Sequence, residues 1–226
     1  MKQLVVISLG GSVVVPRQID TKFLKNFLGF INKNLKFYRF IIVVGGGRTS
    51  REYTLAAKKI KKVNHAHLDW IGIYASRLNA ELIKALLGKK VDRGVITDPA
   101  DGPRFIRSVL IGAGSKPGWS TDYVAVQLAA RYNANRVINL TNTSYVYDKD
   151  PKKHKSAKPI FEMTWRQLRK IVGNSWRPGL NMPFDPIACR FAQKSGLEAV
   201  VVGKNLTNLQ KVLSNKSFKG TIVRGR

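Results

Sequence analysis

Short, continuous apolar runs recur along the chain. A strand that helices cover on both faces of a parallel sheet has no solvated side, so it is typically an unbroken apolar run. The first run ends in Gly10-Gly11, and the second ends in three further glycines. We predict five buried strands, at residues 4–9, 40–44, 108–111, 136–140 and 199–202.

Helical spacing fills the segments between these runs. Residues 20–35 place Phe23, Phe27 and Ile31 on one face, behind a capping residue at Asp20. Further helices are predicted at residues 50–62, 68–87, 121–132, 164–172 and 186–195. Because strands and helices alternate, we expect an α/β fold with a mostly parallel central sheet.

Two irregular segments interrupt this alternation. Residues 145–158 are polar and broken by a proline, and we expect them to divide two lobes. Residues 174–186 hold three prolines and are predicted to form a loop before a helix that starts near Ile187. Two such loops near one edge of the sheet would line a cleft.

The composition is that of a protein with a full hydrophobic core. Of the 226 residues, 44% are hydrophobic, which suffices for one large domain or two closely packed lobes. The single cysteine, Cys189, excludes an internal disulfide framework and is typical of a reducing compartment. No apolar run approaches the ~18 residues of a membrane-spanning helix. We therefore expect a soluble, cytoplasmic protein.

The charge is strongly positive, with 40 Lys and Arg residues against 13 Asp and Glu and a formal net charge of +27. A net positive charge of this size produces an electrostatic field that attracts anions, including nucleotides and nucleic acid. Most of these charged side chains are interpreted as lying in solvent at the surface, for example Lys152-Lys153 in a loop. No RNA-recognition, KH or helix-turn-helix signature is present, so no specific nucleic acid is expected, although a basic nucleic-acid binder stays open as an alternative.

Three glycine-containing loops follow predicted strands, at residues 10–12, 45–47 and 112–122. Glycine at the end of a buried strand lets backbone N–H groups approach phosphate oxygens. The third loop adds Lys116, a capping hydroxyl at Ser120 or Thr121, and Asp122. None of the loops matches GxxxxGK[ST] or GxGxxG. They indicate phosphate binding, with tight strand-to-helix turns as the alternative.

The ordered motifs resemble those of the uridylate kinases of the amino acid kinase superfamily, in their archaeal form. They are SLGGS at 8–12, VVGGGRTSRE at 43–52, DWIGIYASRLNAELI at 69–83, GSKPGWSTDYVAVQLA at 114–129, NLTNTSYVYDKDPKK at 139–153 and FDPIACRFAQKSGLEAVVVG at 184–203. The resemblance implies one domain over residues 1–226 with a three-layer αβα sandwich. Residues 1–140 would form the acceptor lobe and residues 141–226 the ATP lobe. It implies transfer of the γ-phosphoryl of ATP to UMP with Mg²⁺, in a homo-oligomer that is commonly a hexamer.

The resemblance also assigns site residues. The ATP site would comprise Gly10, Gly11, Gly47, Arg51, Thr141, Asn142, Tyr147 and Asp150. The UMP site would comprise Gly46, Asp69, Ser115, Lys116, Pro117, Gly118, Trp119, Ser120 and Thr121. Asp122 and Arg51 would act in phosphoryl transfer, and no side chain is expected to be a resident metal ligand. Simpler interpretations are that Asp69 caps a helix and that Tyr147 is a hairpin aromatic. Asp185 is either a residue that faces the site or a cap, and the loop histidines His65 and His67 are interpreted as surface residues.

Two departures from the family pattern stand out. Ser8 occupies a position where many superfamily kinases carry lysine, a lysine that the archaeal form also lacks, and Ser144-Tyr145 replaces Asp-Gly beside the expected adenine pocket. Two rival functions therefore stay open. One is a superfamily kinase with another small acceptor, and the other is a nucleotide-binding storage or regulatory protein without catalysis.

Overall fold

The structure is a computed structural model that describes residues 2–92, 94–175 and 182–225. Its strands are β1 (Gln3–Leu9), β2 (Tyr38–Val44), β3 (Val109–Gly112), β4 (Arg136–Thr141), β5 (Val146–Tyr147), β6 (Pro159–Ile160), β7 (Glu162–Met163), β8 (Glu198–Gly203) and β9 (Thr221–Val223). Its helices are α1 (Gly11–Val14), α2 (Thr21–Asn34), α3 (Gly47–Ile60), α4 (His65–Leu87), α5 (Thr121–Arg131), α6 (Trp165–Val172), α7 (Pro186–Lys194) and α8 (Leu206–Leu213), with single 3₁₀ turns at Gly88–Lys90 and Pro99–Asp101.

Seven strands form the central sheet in the order β3-β2-β1-β4-β8-β9-β7. All pairings are parallel except that between β8 and β9. The chain proceeds outward from β1 to β2 and β3, then returns to place β4 on the other side of β1. In an open α/β sheet, ligands bind beyond the carboxyl ends of the strands at such a reversal of strand order.

The register of the central strands brings their loops level with one another. Leu9 pairs with Val44 across β1 and β2, and with Leu140 across β1 and β4. The glycines that follow Leu9 and Val44 therefore emerge side by side at one edge of the sheet. This edge holds the site described below.

Hydrophobic clusters lie on both faces of the sheet. Successive residues of a strand point to opposite faces, so Ile7 joins one cluster and Val6 the other. Helices α2, α4 and α8 contribute to the first cluster, and α5, α6 and α7 contribute to the second. The α/β fold with a three-layer αβα sandwich is therefore confirmed.

The five predicted strands and six predicted helices are present with shifts at their ends. Helices α3 and α4 each begin three residues earlier than predicted. Helix α4 begins at His65 and is capped by Asn64, whose side chain accepts a hydrogen bond from His67 N at 2.9 Å. Both histidines are exposed, as expected, but they lie in the first helical turn rather than in a loop. The interpretation of Asp69 as a helix cap is wrong, because it lies inside α4.

The two irregular segments behave differently. Residues 145–158 contain β5, which pairs with the following β6 in a short antiparallel hairpin, so Tyr147 is a hairpin aromatic, as one of the interpretations has it. In the second segment, residues 176–181 lie outside the described part of the chain. Beyond them, α7 begins at Pro186, as expected, and Asp185 caps it. No helix in the described ranges combines the length and the apolar character that a bilayer crossing requires.

Candidate active site

The first two glycine loops contact each other through their backbones. A Cβ atom added at Gly11 would lie 2.0 Å from the Gly47 nitrogen, and one added at Gly47 would lie 2.3 Å from the Gly11 oxygen. Gly47 also has a φ of +64°, which side chains rarely adopt. Gly45 N donates to Leu9 O at 3.0 Å, which fixes the second loop to the end of β1. These glycines therefore do more than form turns, because they also allow the two loops to approach each other closely.

Two cavities open at this edge of the sheet. The smaller, of about 640 Å³, is lined by Ser12, Pro16, Gly46, Gly47, Ser50, Arg51, Thr54, Leu68, Asp69, Gly72, Ile73, Ser76, Gly114, Trp119, Ser120, Thr121, Asp122, Asn142, Lys152 and Lys204. The larger, of about 920 Å³, is lined by Gly10, Gly11, Ser12, Gly45, Gly46, Gly47, Arg51, Thr121, Asp122, Asn139, Thr141, Asn142, Thr143, Tyr145, Tyr147, Asp148, Lys149, Asp150, Pro151, Lys152, Lys153, Lys170, Ile171, Met182 and Pro183. Each is large enough for a nucleotide-sized ligand.

The cavities share part of their lining, which we call the junction. It consists of Ser12, Gly46, Gly47, Arg51, Thr121, Asp122, Asn142 and Lys152. A ligand in one cavity can therefore approach a ligand in the other at residues that carry both positive and negative charge. Such proximity is what a group transfer between two bound molecules requires.

Asp122 lies at the junction, in the first turn of α5. Ser120 caps this helix by accepting a hydrogen bond from Tyr123 N at 3.0 Å. Ser8 Oγ, at the end of β1, donates to Asp122 Oδ1 at 2.7 Å. Removal of the carboxyl from solvent raises the pKa of Asp122 to about 6, the Ser8 hydrogen bond opposes this shift, and the charge of Asp185 adds to it.

Asp185 is a buried carboxylate near Asp122, at the start of α7. Its Oδ1 accepts from Ala188 N at 2.6 Å, so it is the helix cap. Its Oδ2 is buried and has no hydrogen-bond partner among the described residues. Burial raises the pKa of Asp185. The neighbouring Cys189 is also fully buried, and burial together with the charges of Asp185 and Asp122 raises the pKa of its thiol.

The loop that begins at Gly114 is attached to helix α4 at several points. Gly118 N donates to Asp69 Oδ2 at 2.7 Å. Arg77 donates from Nε to Gly114 O at 3.0 Å and from Nη2 to Ser115 O at 2.9 Å. These bonds hold the loop against the smaller cavity, so α4 sets the shape of that cavity.

Arg51 supplies positive charge from α3, one turn beyond the second glycine loop. It lines both cavities. Partial burial, together with the neighbouring Arg48, lowers the pKa of Arg51, but a guanidinium stays protonated at neutral pH. Arg51 therefore carries a permanent positive charge at the junction.

Comparison with known proteins agrees with this architecture. The family model described as "Amino acid kinase family" matches residues 3–110 and 110–203. The chain belongs to the amino acid kinase family. It is 34% identical to a uridylate kinase of Thermoplasma volcanium over 219 residues, which cover 96% of this chain and 95% of the relative. It is also 34% identical to a uridylate kinase of Pyrococcus abyssi over 223 residues, covering 97% and 98%.

A solved structure of a uridylate kinase from Archaeoglobus fulgidus is similar over the whole fold. The TM-score is 0.83 at 30% identity, with 99% of this chain and 100% of the other covered. The resemblance to uridylate kinases that the motifs indicate is therefore confirmed. So is the three-layer fold that this amino acid kinase family member was expected to have.

The residues that the resemblance assigns to ATP come together. All eight line the larger cavity: Gly10, Gly11, Gly47, Arg51, Thr141, Asn142, Tyr147 and Asp150. Of the residues assigned to UMP, five line the smaller cavity: Gly46, Asp69, Trp119, Ser120 and Thr121. The other four belong to the same loop but do not line it: Ser115, Lys116, Pro117 and Gly118. Ser115 is buried, and Lys116 lies 4.1 Å above the ring of Trp119.

Several residues that line the cavities of this amino acid kinase family member were not predicted. Ser50 and Thr54 face the smaller cavity from α3, one helical turn apart, and this i, i+4 spacing was a usable signal. Lys152 lines both cavities, although the sequence suggests only a solvated loop charge. Tyr145, which belongs to the Ser144-Tyr145 pair that replaces the family's Asp-Gly, lines the larger cavity beside Tyr147. The centres of the two rings are 6.3 Å apart.

Proposed function

We propose that the protein is an ATP-dependent UMP kinase, which transfers the γ-phosphoryl of ATP to UMP and releases ADP and UDP. One observation carries the proposal. Two nucleotide-sized cavities share a charged junction, and each is lined by residues that the resemblance assigns to one of the two nucleotides. Relatives named uridylate kinase match nearly the whole chain, which favours UMP over other small acceptors and over a role without catalysis.

ATP would occupy the larger cavity and enter as its Mg²⁺ complex. Tyr147, with Tyr145 beside it, offers an aromatic surface for the base, and Asp150 lies nearby on the same wall. Backbone N–H groups at Gly11 and Gly47 would meet the phosphates, whereas the Gly10 N–H donates to Leu140 O at 2.9 Å. Mg²⁺ would be held chiefly by phosphate oxygens, since the described residues contain no cluster of three or more side chains that could hold a metal.

UMP would occupy the smaller cavity. Asp69 faces this cavity from α4 while it accepts the Gly118 N–H, so its remaining oxygen capacity is available to ribose hydroxyls. Of the acceptor loop, residues 115–121, the part that lines this cavity is Trp119, Ser120 and Thr121, and these three residues would contact the phosphate. The proposed acceptor lobe (1–140) and ATP lobe (141–226) would then meet at the junction.

The reaction needs little covalent chemistry from the protein. An oxygen of the UMP phosphate forms a bond to the γ-phosphorus of ATP, and the bond to the bridging β,γ-oxygen breaks with its electrons going to ADP. Since the attacking oxygen is already ionised, no general base is required. Catalysis depends on in-line positioning and on cations that offset the charge. We assign to Arg51 the task of offsetting this charge. We assign to Asp122, which the Ser8 hydroxyl holds by a hydrogen bond, the task of orienting the groups of the junction.

We also propose a homo-oligomer in the cytoplasm, a homohexamer by family resemblance. Helix α4 exposes Trp70, Tyr74 and Leu78 at successive four-residue steps, with Trp70 and Tyr74 in contact. A contiguous exposed apolar stripe of this kind favours burial against another subunit. The molar mass in solution, measured by light scattering after size-exclusion chromatography, tests this proposal, and a monomer at micromolar concentration would contradict it.

The activity is tested by a coupled assay of ADP release with ATP, Mg²⁺ and each nucleoside monophosphate in turn. We expect selective turnover of UMP. Asp69→Ala should raise the KM for UMP and leave the KM for ATP unchanged, since Asp69 lines only the smaller cavity. His67→Ala, at an exposed position two residues away, is the matched control. ATP binding without turnover of any monophosphate would refute the proposed function.

A further inference from the structure

The junction contains two cationic side chains among its eight described residues, Arg51 and Lys152. They come from different parts of the chain: Arg51 from α3 and Lys152 from the loop after β5. The end of β1 supplies no charge, because Ser8 stands there and donates its hydroxyl to Asp122. The positive charge at the meeting point of the cavities therefore comes from Arg51 and Lys152.

The backbone around Lys152 is held in place. Asp150 Oδ1 accepts the Lys152 N–H at 2.9 Å, and Asp150 O accepts the His154 N–H at 2.9 Å, which forms a tight turn. At the base of the loop, Lys158 N donates to Asp148 Oδ1 at 2.8 Å. These bonds fix the start of a long side chain whose ammonium group has no carboxylate within 4 Å among the described residues. A cation so placed is free to pair with a phosphate.

Neighbouring lysines do not share this position. Lys149, Lys153 and Lys170 line the larger cavity alone, and Lys204 lines the smaller one alone. A lysine in a single cavity can assist the binding of one substrate. Lys152 faces both, so its ammonium can contact the phosphoryl group during its passage from one nucleotide to the other.

We propose that Lys152 is a further catalytic residue, whose ammonium contacts the transferring phosphoryl group together with Arg51. The inference rests on the proposed function and assigns a residue to it. The proposed contact moves no proton. Its effect is electrostatic, because charge on the equatorial oxygens is offset more strongly in the transition state than in bound ATP.

The test compares Lys152→Ala with Lys152→Arg, Lys153→Ala and Lys155→Ala. Lys155 belongs to the same exposed loop and lines neither cavity, so its variant controls for the loss of one loop charge. We expect Lys152→Ala to lower kcat by about 100-fold or more, with the Kd values of ATP and UMP changed by less than about threefold. Lys152→Arg should recover part of kcat, Lys153→Ala should raise the KM for ATP alone, and Lys155→Ala should match the wild type.

A binding measurement separates this inference from the proposed function. A bisubstrate probe, adenosine and uridine joined through five phosphates, spans both cavities without turnover. Lys152→Ala should weaken its binding at least about tenfold more than it weakens the binding of ATP. An unchanged affinity for the probe, or a loss of kcat no larger than that of Lys155→Ala, would overturn the role of Lys152. If the wild-type protein binds the probe but does not turn over UMP, the proposed function fails and the catalytic role of Lys152 fails with it. If the wild-type protein turns over UMP and Lys152→Ala does so equally well, the role of Lys152 alone is overturned.

Discussion

Gly11→Ala tests the contact between the two glycine loops. The new Cβ atom would lie 2.0 Å from the nitrogen and 2.6 Å from the Cα of Gly47, and both are backbone atoms that cannot rotate away. Ordinary contact begins at 3.4 Å. The loops must therefore separate by about 1.4 Å, since repulsion rises steeply at shorter range.

This displacement has two measurable consequences. Overpacking of this kind costs about 1–3 kcal/mol, and for a chain of this size each kcal/mol lowers Tm by about 2–4 °C. Because the same loops frame the junction, a shift of about 1 Å should also lower kcat/KM roughly 100-fold. Thermal unfolding followed by circular dichroism and the coupled ADP assay measure the two effects.

Gly29→Ala is the matched control. Gly29 lies inside α2, and a Cβ atom there meets nothing within 4 Å. Alanine is the better helix former by about 0.8–1 kcal/mol, so this variant should be slightly more stable than the wild type and equally active. If Gly11→Ala matched Gly29→Ala in both Tm and kcat/KM, the inferred close approach of the loops would be refuted.

Substitutions at three further residues separate stability, acceptor binding and turnover. Asp122→Asn should abolish activity yet raise the free energy of unfolding at pH 7.5 by about 1–3 kcal/mol. The reason is that burial raises the pKa of Asp122 to about 6, so that above this pH the ionised carboxylate lowers the free energy of unfolding. The gain should shrink as pH falls from 6 toward 4 in urea titrations, and a gain independent of pH would contradict the assignment. Arg77→Ala removes the hydrogen bonds that this side chain donates to Gly114 O and Ser115 O and should raise the KM for UMP about tenfold, with the KM for ATP unchanged. Arg77→Lys should not restore the wild-type KM for UMP, because lysine lacks the paired donors. Arg51→Ala should lower kcat about 100-fold or more without changing Tm, and near-normal turnover would remove Arg51 from the proposed role.

The parts of the fold that could be predicted are those with a strong local signal. The strands of the sheet centre are unbroken apolar runs, and Asp20 caps α2 as expected. Helix α8 also had such a signal, since its cap Asn205 precedes apolar residues at helical spacing, but it was not predicted. Strand β9 and the β5–β6 hairpin have only three and two residues per strand. Periodicity cannot be recognised over such lengths, and tertiary pairing decides them.

The candidate site also has parts that could be predicted from local sequence and parts that depend on tertiary contacts. Glycines after apolar runs mark the phosphate-competent loops, because that chemistry is local in sequence. The bond between Ser8 and Asp122 joins residues 114 positions apart, and the effect of Asp185 on Asp122 depends on the packing of α7 beside α5. Whether Asp185 faces the site or caps a helix could not be decided from its sequence context. It is the cap, and its other oxygen is buried near the junction.

The burial of Cys189 makes the protein convenient for labelling. A thiol reacts with maleimides as its thiolate, and a thiol with a raised pKa that is shielded from solvent supplies almost none at neutral pH. A cysteine introduced at the exposed Lys155 would then be the reactive one without removal of the natural residue. A fluorophore attached there would report on the loop that carries Lys152 as nucleotides bind.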